Sequence, residues 1–225
     1  MSEIRFPLII VNFKAYPEVE GEGALSLARA CADVAEASGV SIIACPPTGE
    51  LSRVASSVKI PVMAQHVDPR SPGSATGWVT ADMVRRAGAV GTLVNHSEHR
   101  LGLDDIRNVV SACKKAGLRS CICADSAISS GEVALFGPDM VAVEPPELIG
   151  GDVSVTNAKP EVVVEAVRAV HRVDASIPVL CGAGVKNGQD VKMAIELGAK
   201  GVLLASGVVK AKDQRQALRD LIRLI

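Results

Sequence analysis

One carboxylate in this chain stands where packing gives it little reason to be. Glu144 follows the apolar run Met140-Val-Ala-Val143 and precedes Pro145-Pro146, and the chain then continues through Glu147-Leu-Ile to Gly150-Gly151. A short apolar run of this kind reads as a buried strand, so Glu144 is delivered to a strand end, where a base can meet a substrate. Prolines stiffen one end of the segment that follows and glycines loosen the other, which makes it a candidate lid over that base. Other apolar runs also end in polar groups: Asn12 and Lys14 around Phe13, Gln65 and His66, and Asn95 and His96. Glu144 as a base, His96 as an electrophile and Lys14 as a cation suit the movement of a proton next to a carbonyl. Two further strand ends carry only small residues, Cys181-Gly-Ala-Gly184 and Ala205-Ser-Gly207. Small residues let backbone N–H groups approach a phosphate, so the chemistry implied is that of a small phosphorylated carbonyl compound.

These residues need a scaffold that brings strand ends together. Apolar runs at 8–13, 41–45, 60–65, 90–94, 118–123, 140–143, 177–180 and 201–204 read as eight strands. Helical spacing or stop signals place helices at 18–38, after Thr48, from Thr80 to Gly88, and at 104–116, 126–135, 160–171, 187–197 and 213–224. Gly39, Gly88, Gly117 and Gly198 read as helix stops, Thr48 as a cap for the short second helix, and 68–77 as a long ordered loop. Eight strands alternating with eight helices, without a break in composition, predict an α/β protein, a single (β/α)8 TIM barrel over residues 1–225. The competing doubly wound sheet would usually have fewer strands and more polar edges. In a barrel, functional groups gather at the C-terminal ends of the strands, and a phosphate site after strands seven and eight recurs.

Composition narrows the partners. Among 225 residues the formal net charge is −1, so no general attraction to nucleic acid or to an anionic membrane is expected. The apolar run 6–13 is too short to span a bilayer, meets Lys14 at once, and lacks a signal-peptide cleavage pattern. Six cysteines, several inside strand-like runs, read as reduced and buried thiols, and a cytoplasmic protein is expected.

Four motifs, Asn12-Phe-Lys14, Asn95-His-Ser-Glu-His-Arg100, Val143-Glu-Pro-Pro-Glu-Leu-Ile-Gly-Gly151 and Leu203-Leu-Ala-Ser-Gly207, occur in order along the whole chain. Together with the loop Pro72-Gly-Ser-Ala-Thr-Gly77 they resemble the triosephosphate isomerase family in its shorter archaeal form. The resemblance implies interconversion of dihydroxyacetone phosphate and D-glyceraldehyde 3-phosphate through an enediolate, in glycolysis and gluconeogenesis. It implies Glu144 as base, His96 as electrophile, and Lys14 and Asn12 as groups that stabilise substrate and developing charge. Ile149, Gly150, Gly184, Ala205 and Ser206 would hold the phosphate. Glu98, expected in a helix after His96, would support the site, and Thr76 would reach a neighbouring subunit of a homo-oligomer, with a tetramer suggested by the short form. No metal or organic cofactor is implied, because the proton transfer leaves no net redox change. The chain departs from the family pattern where Pro146-Glu147-Leu148 replaces the usual aromatic lid residue. It departs again where Cys181-Gly-Ala-Gly-Val185 replaces a segment bearing a tyrosine and a serine.

Plainer readings compete. Lys14 could be a solvated loop lysine, and Cys123 and Asp125 read as packing residues. His96 and His99 could suggest a metal site, but no third ligand accompanies them at suitable spacing. Gly182, Gly184 and Gly188 miss the dinucleotide fingerprint in spacing and in its acidic partner. Another phosphate-binding barrel enzyme would need a different acid and base pair, and a sugar-phosphate sensor would not need Glu144, His96 and Lys14 together.

Overall fold

The computed structural model describes residues 4–145, 159–182 and 184–225. Eight strands, β1 (Leu8–Asn12), β2 (Ser41–Cys45), β3 (Met63–Ala64), β4 (Gly91–Val94), β5 (Arg119–Ala124), β6 (Met140–Val143), β7 (Val179–Cys181) and β8 (Gly201–Leu204), form one parallel sheet in the order β2-β1-β8-β7-β6-β5-β4-β3. A single bridge between Ala44 and Val62 joins the two end strands and closes the barrel. The described helices are α1 (Glu22–Ser38), α2 (Leu51–Ser57), α3 (Ala81–Arg86), α4 (Leu103–Ala116), α5 (Ala127–Ala134), α6 (Pro160–Val173), α7 (Gly188–Glu196), α8 (Ser206–Val209) and α9 (Gln214–Ile222). The expected (β/α)8 barrel is what forms, and no described helix is long and apolar enough to cross a membrane.

Strand alternation divides the apolar residues into two layers. Leu8, Ile10, Ile43, Leu93, Cys121, Cys123, Met140, Ala142, Leu180 and Leu203 fill the barrel interior. Their neighbours Ile9, Val11, Ile42, Val94, Ile122, Val141, Val179 and Val202 pack outward against the helices. All six cysteines are buried and none is bonded to another.

Several boundaries differ from the sequence reading. Pro17–Val19 forms a 3-10 turn and Gly21, at φ 55°, interrupts the chain, so α1 starts at Glu22 instead of Glu18. β3 is only two residues long, with Val62 before it joined to the sheet by its single bridge to Ala44. Thr48 makes no capping bond and is the first residue of a 3-10 turn, whereas Thr80, Ser126, Asn187 and Asp213 do cap the helices that follow them. Gly39 and Gly117 end α1 and α4 in the left-handed conformation, as their positions suggested.

Candidate active site

The inner rows of β1, β6, β7 and β8, continued to the strand end or one step past it, build the floor of the barrel mouth. Leu8 and Ile10 lead to Asn12; Met140 and Ala142 lead to Glu144; Leu180 leads to Gly182; and Leu203 leads to Ala205. Asn12, Lys14, His96, Glu144, Gly184, Ala205 and Ser206 line one pocket, whose wall also includes Tyr16, Gly182, Val185 and Lys186. Ile149 and Gly150, and the segment read as a lid, lie outside the described residues.

Glu144 is 4% exposed. Its Oε1 lies 3.7 Å from Nε2 of His96, and its Oε2 is buried with no hydrogen-bond partner. Loss of water lifts its pKa from 4.5 to about 7, against the pull of the Cys123 thiol and the charges of Lys14 and Arg100. A glycine next door makes room for it: a Cβ built at Gly182 would stand 2.4 Å from Glu144 Cγ. The two residues are strand neighbours on the inner face, one step beyond the Val143–Cys181 pair.

His96 is driven the opposite way. Burial first, then the charge of Lys14, lower its pKa from 6.5 to about 4, with Glu98 opposing. Its Nδ1 accepts the backbone N–H of Glu98 at 3.2 Å, so the neutral ring carries its hydrogen on Nε2, the nitrogen that faces Glu144. Glu98 itself sits in a turn and not in a helix: His99 N–H donates to the His96 carbonyl at 2.8 Å, and α4 begins only at Leu103 after Gly102. The second histidine of the suspected metal pair points elsewhere, stacked on His66 at 3.8 Å. Among the described residues no group of three or more His, Cys, Asp or Glu side chains is placed to hold a metal ion.

Lys14 is no solvated loop lysine. Its side chain is 14% exposed and its Nζ meets Glu98 Oε1 at 2.7 Å. Its backbone, at φ 54°, is held by Asn12 Oδ1, which accepts the Lys14 N–H at 3.0 Å, and by Gln65 Nε2, which donates to the Lys14 carbonyl at 3.0 Å. Across the pocket, Gly184 adopts φ 67°, and Ser206 and Gly207 open the short α8, whose first amides have no acceptor within the helix. Thr76 and Glu98, with His66 and Trp78, line a second cleft that shares Asn12, Lys14 and His96 with the pocket. Sequence reasoning passed over Gly182 and Tyr16 as individual site residues. Gly182 was signalled only by its place in a run of small residues, and Tyr16, whose ring lies 4.4 Å from Lys210 Nζ, by its nearness to Lys14.

A buried carboxylate opposite a neutral imidazole, with a cation beside them and small residues across the mouth, places the protein among the barrel enzymes of proton transfer. The family is narrower. The family model for triosephosphate isomerase matches residues 7–225. A triosephosphate isomerase of Methanosarcina barkeri is 49% identical over 219 residues, covering 97% of this chain and 99% of that protein, and one of Methanothermus fervidus is 50% identical over 216 residues, covering 96% and 97%. A crystal structure of triosephosphate isomerase from Bartonella henselae shares the fold with a TM-score of 0.78 at 24% identity, covering 97% of this chain and 100% of that one. The chain belongs to the triosephosphate isomerase family, an isomerase whose reaction interconverts dihydroxyacetone phosphate and glyceraldehyde 3-phosphate.

Proposed function

We propose that Glu144 is the base of this reaction, neutral His96 its electrophile, and Lys14 and Asn12 the groups that stabilise substrate and developing negative charge. One observation supports the reading above the others: a carboxylate withdrawn from water, one oxygen 3.7 Å from Nε2 of the imidazole and the other without a partner. The two groups are shifted in opposite directions, about 7 for the acid and about 4 for the imidazole, so near neutral pH the carboxylate is substantially ionised while the ring is uncharged. A neutral histidine opposite a glutamate base is the known arrangement of this family.

Glu144 removes the proton from the hydroxyl-bearing carbon next to the carbonyl. The C–H electron pair becomes a C=C bond, the carbonyl pair moves onto oxygen, and an enediolate forms; His96 Nε2 gives its proton to that oxygen and takes the hydroxyl proton from the other, whose electron pair closes the new carbonyl as the same carboxylic acid returns its proton to the neighbouring carbon. His96 Nε2–H donates to the oxygen that takes up charge, and the Lys14 ammonium lowers the energy of that charge in a site shielded from water. Glu98 supports both partners, pairing with the Lys14 side chain and donating its backbone N–H to His96. The backbone at Gly184, Ala205 and Ser206 holds the phosphate, joined by Ile149 and Gly150.

The chain 1–225 acts as a single domain in a homo-oligomer, with a tetramer as the expected form. The cleft beside the site, with Thr76 on its wall, supports the approach of a second copy close to Lys14 and His96. Six buried thiols support a reducing, cytoplasmic setting, and membership of the family supports a place in glycolysis and gluconeogenesis. A coupled assay with glyceraldehyde 3-phosphate tests the mechanism. Glu144→Gln lowers kcat by roughly 10²–10⁴-fold, the range of a positioned general base, while a phosphorylated substrate analogue still binds. Turnover by Glu144→Gln at the wild-type rate would remove Glu144 from its role.

A further inference from the structure

His96 faces the wrong way for its strand. In β4, Leu93 belongs to the barrel interior and Val94 to the outer layer, so unbroken alternation would place residue 95 inside and residue 96 outward, against the helices. Yet the His96 ring lies in the mouth, across from Glu144. The departure occurs at Asn95, whose φ of 60° lies in the left-handed region, where only one other non-glycine residue, Lys14, is found among the described residues.

The Asn95 side chain is committed to that departure. It is 8% exposed and both ends of its carboxamide are bonded. Nδ2 donates to the Cys123 carbonyl of β5 at 2.9 Å, and Oδ1 accepts the Leu101 N–H at 2.9 Å, just before α4. One side chain therefore ties the neighbouring strand to the far end of the five-residue segment 96–100 that carries His96, Glu98 and Arg100. Asparagine is among the few L residues that visit the left-handed region readily, and it also supplies the donor and the acceptor that such a span needs.

We propose that Asn95 is a positioning residue for the isomerisation: its left-handed backbone turns His96 into the mouth, and its carboxamide locks that turn between β5 and the start of α4. Asn95 acts through His96, so the proposal rests on the role of His96 given above. A glycine at this position would keep the turn accessible but lose both bonds. An aspartate would keep the acceptor for Leu101 and set a carboxylate oxygen against the Cys123 carbonyl.

Steady-state kinetics of Asn95→Gly and Asn95→Asp, each alone and combined with His96→Gln, test it. Both single variants lower kcat roughly tenfold or more, a part of the roughly hundredfold that a 1 Å misplacement of a reacting group costs, and change KM by less than about threefold. In ¹⁵N-histidine spectra the His96 signals of Asn95→Gly lose the pattern of a single neutral tautomer with hydrogen on Nε2 and titrate at higher pH than in the wild type. In the His96→Gln background neither substitution lowers kcat further. The inference is overturned if Asn95→Gly turns over within about twofold of the wild type with its His96 signals unmoved, or if it slows His96→Gln as much as it slows the wild type. A His96→Gln variant with wild-type kcat would instead remove the electrophile role, and the inference would fall with it.

Discussion

Neutralising the Glu144 carboxylate stabilises the protein, and does so only on the alkaline side. Burial raises its pKa from 4.5 to about 7, so the folded chain binds a proton that the unfolded chain releases between those values. Below about 4.5 both states carry the proton and the group is neutral to folding. As pH rises through about 7 the stability associated with the protonated acid is lost, and above it the folded state bears the whole cost of a buried charge. At roughly 1.4 kcal/mol per unit, that cost is about 3 kcal/mol. Glu144→Gln keeps the size of the side chain and removes the ionisation, so its stability matches the wild type near pH 4.5 and exceeds it by up to ~3 kcal/mol at pH 8. His96, whose pKa falls from 6.5 to about 4, costs stability in the opposite direction as pH drops through that range, but it does so in both proteins. Chemical denaturation of both proteins at one concentration, at pH 5 and pH 8, reads the difference directly. In thermal melts it amounts to about 6–12 °C at pH 8, at roughly 2–4 °C per kcal/mol for a chain of this size. A glutamine variant no more stable than the wild type at pH 8 would refute the reasoning. So would an advantage equal at both pH values, which would reflect packing and not charge.

Gly182→Ala places a Cβ 2.4 Å from Glu144 Cγ, about 1 Å inside ordinary contact, so the carboxylate shifts by about that distance. Turnover then drops on the order of a hundredfold while the unfolding midpoint moves little, and an alanine variant at the wild-type rate would show that the carboxylate does not work from this position. Sizing chromatography with light scattering finds an oligomer of the wild type, and substitution of Thr76 by a bulky charged residue weakens it; a wild-type monomer would take the proposed intersubunit role from Thr76.

The fold and half of the site follow from one periodicity. Because Met140 and Ala142 face inward, so does Glu144, and because Leu8 and Ile10 do, so does Asn12. His96 does not obey that rule, and its place depends on a backbone dihedral at Asn95 that no apolar pattern records. Its only trace in the sequence is the asparagine itself, a residue at ease in the left-handed region. Glu98 was misread as helical because the polar run after β4 looks like a helix start. Gly102 is the residue that opens α4, and the segment before it is shaped by the contacts of Asn95 and by the bond from Glu98 to His96. The apolar run 60–65 reads as a full strand, yet only Met63 and Ala64 pair regularly and Val62 is held by a single bridge, a difference in backbone pairing that an apolar pattern does not record.

The site gathers three unfavourable features at one end of the barrel: left-handed backbones at Lys14 and Asn95, and a buried carboxylate oxygen without a partner. Two of them are offset locally. Asn12 accepts the Lys14 N–H, and the Asn95 carboxamide bonds on both sides of its own turn, so an asparagine holds each strained turn beside a reacting group. The third is not offset, and the chemistry gives the reason. A donor brought to Glu144 Oε2 would stabilise the ionised acid, lower its proton affinity and weaken it as a base, all through the same free energy. A carboxylate able to take a proton from carbon must stay poorly solvated, so the instability at Glu144 and its proposed function are one property measured in two ways.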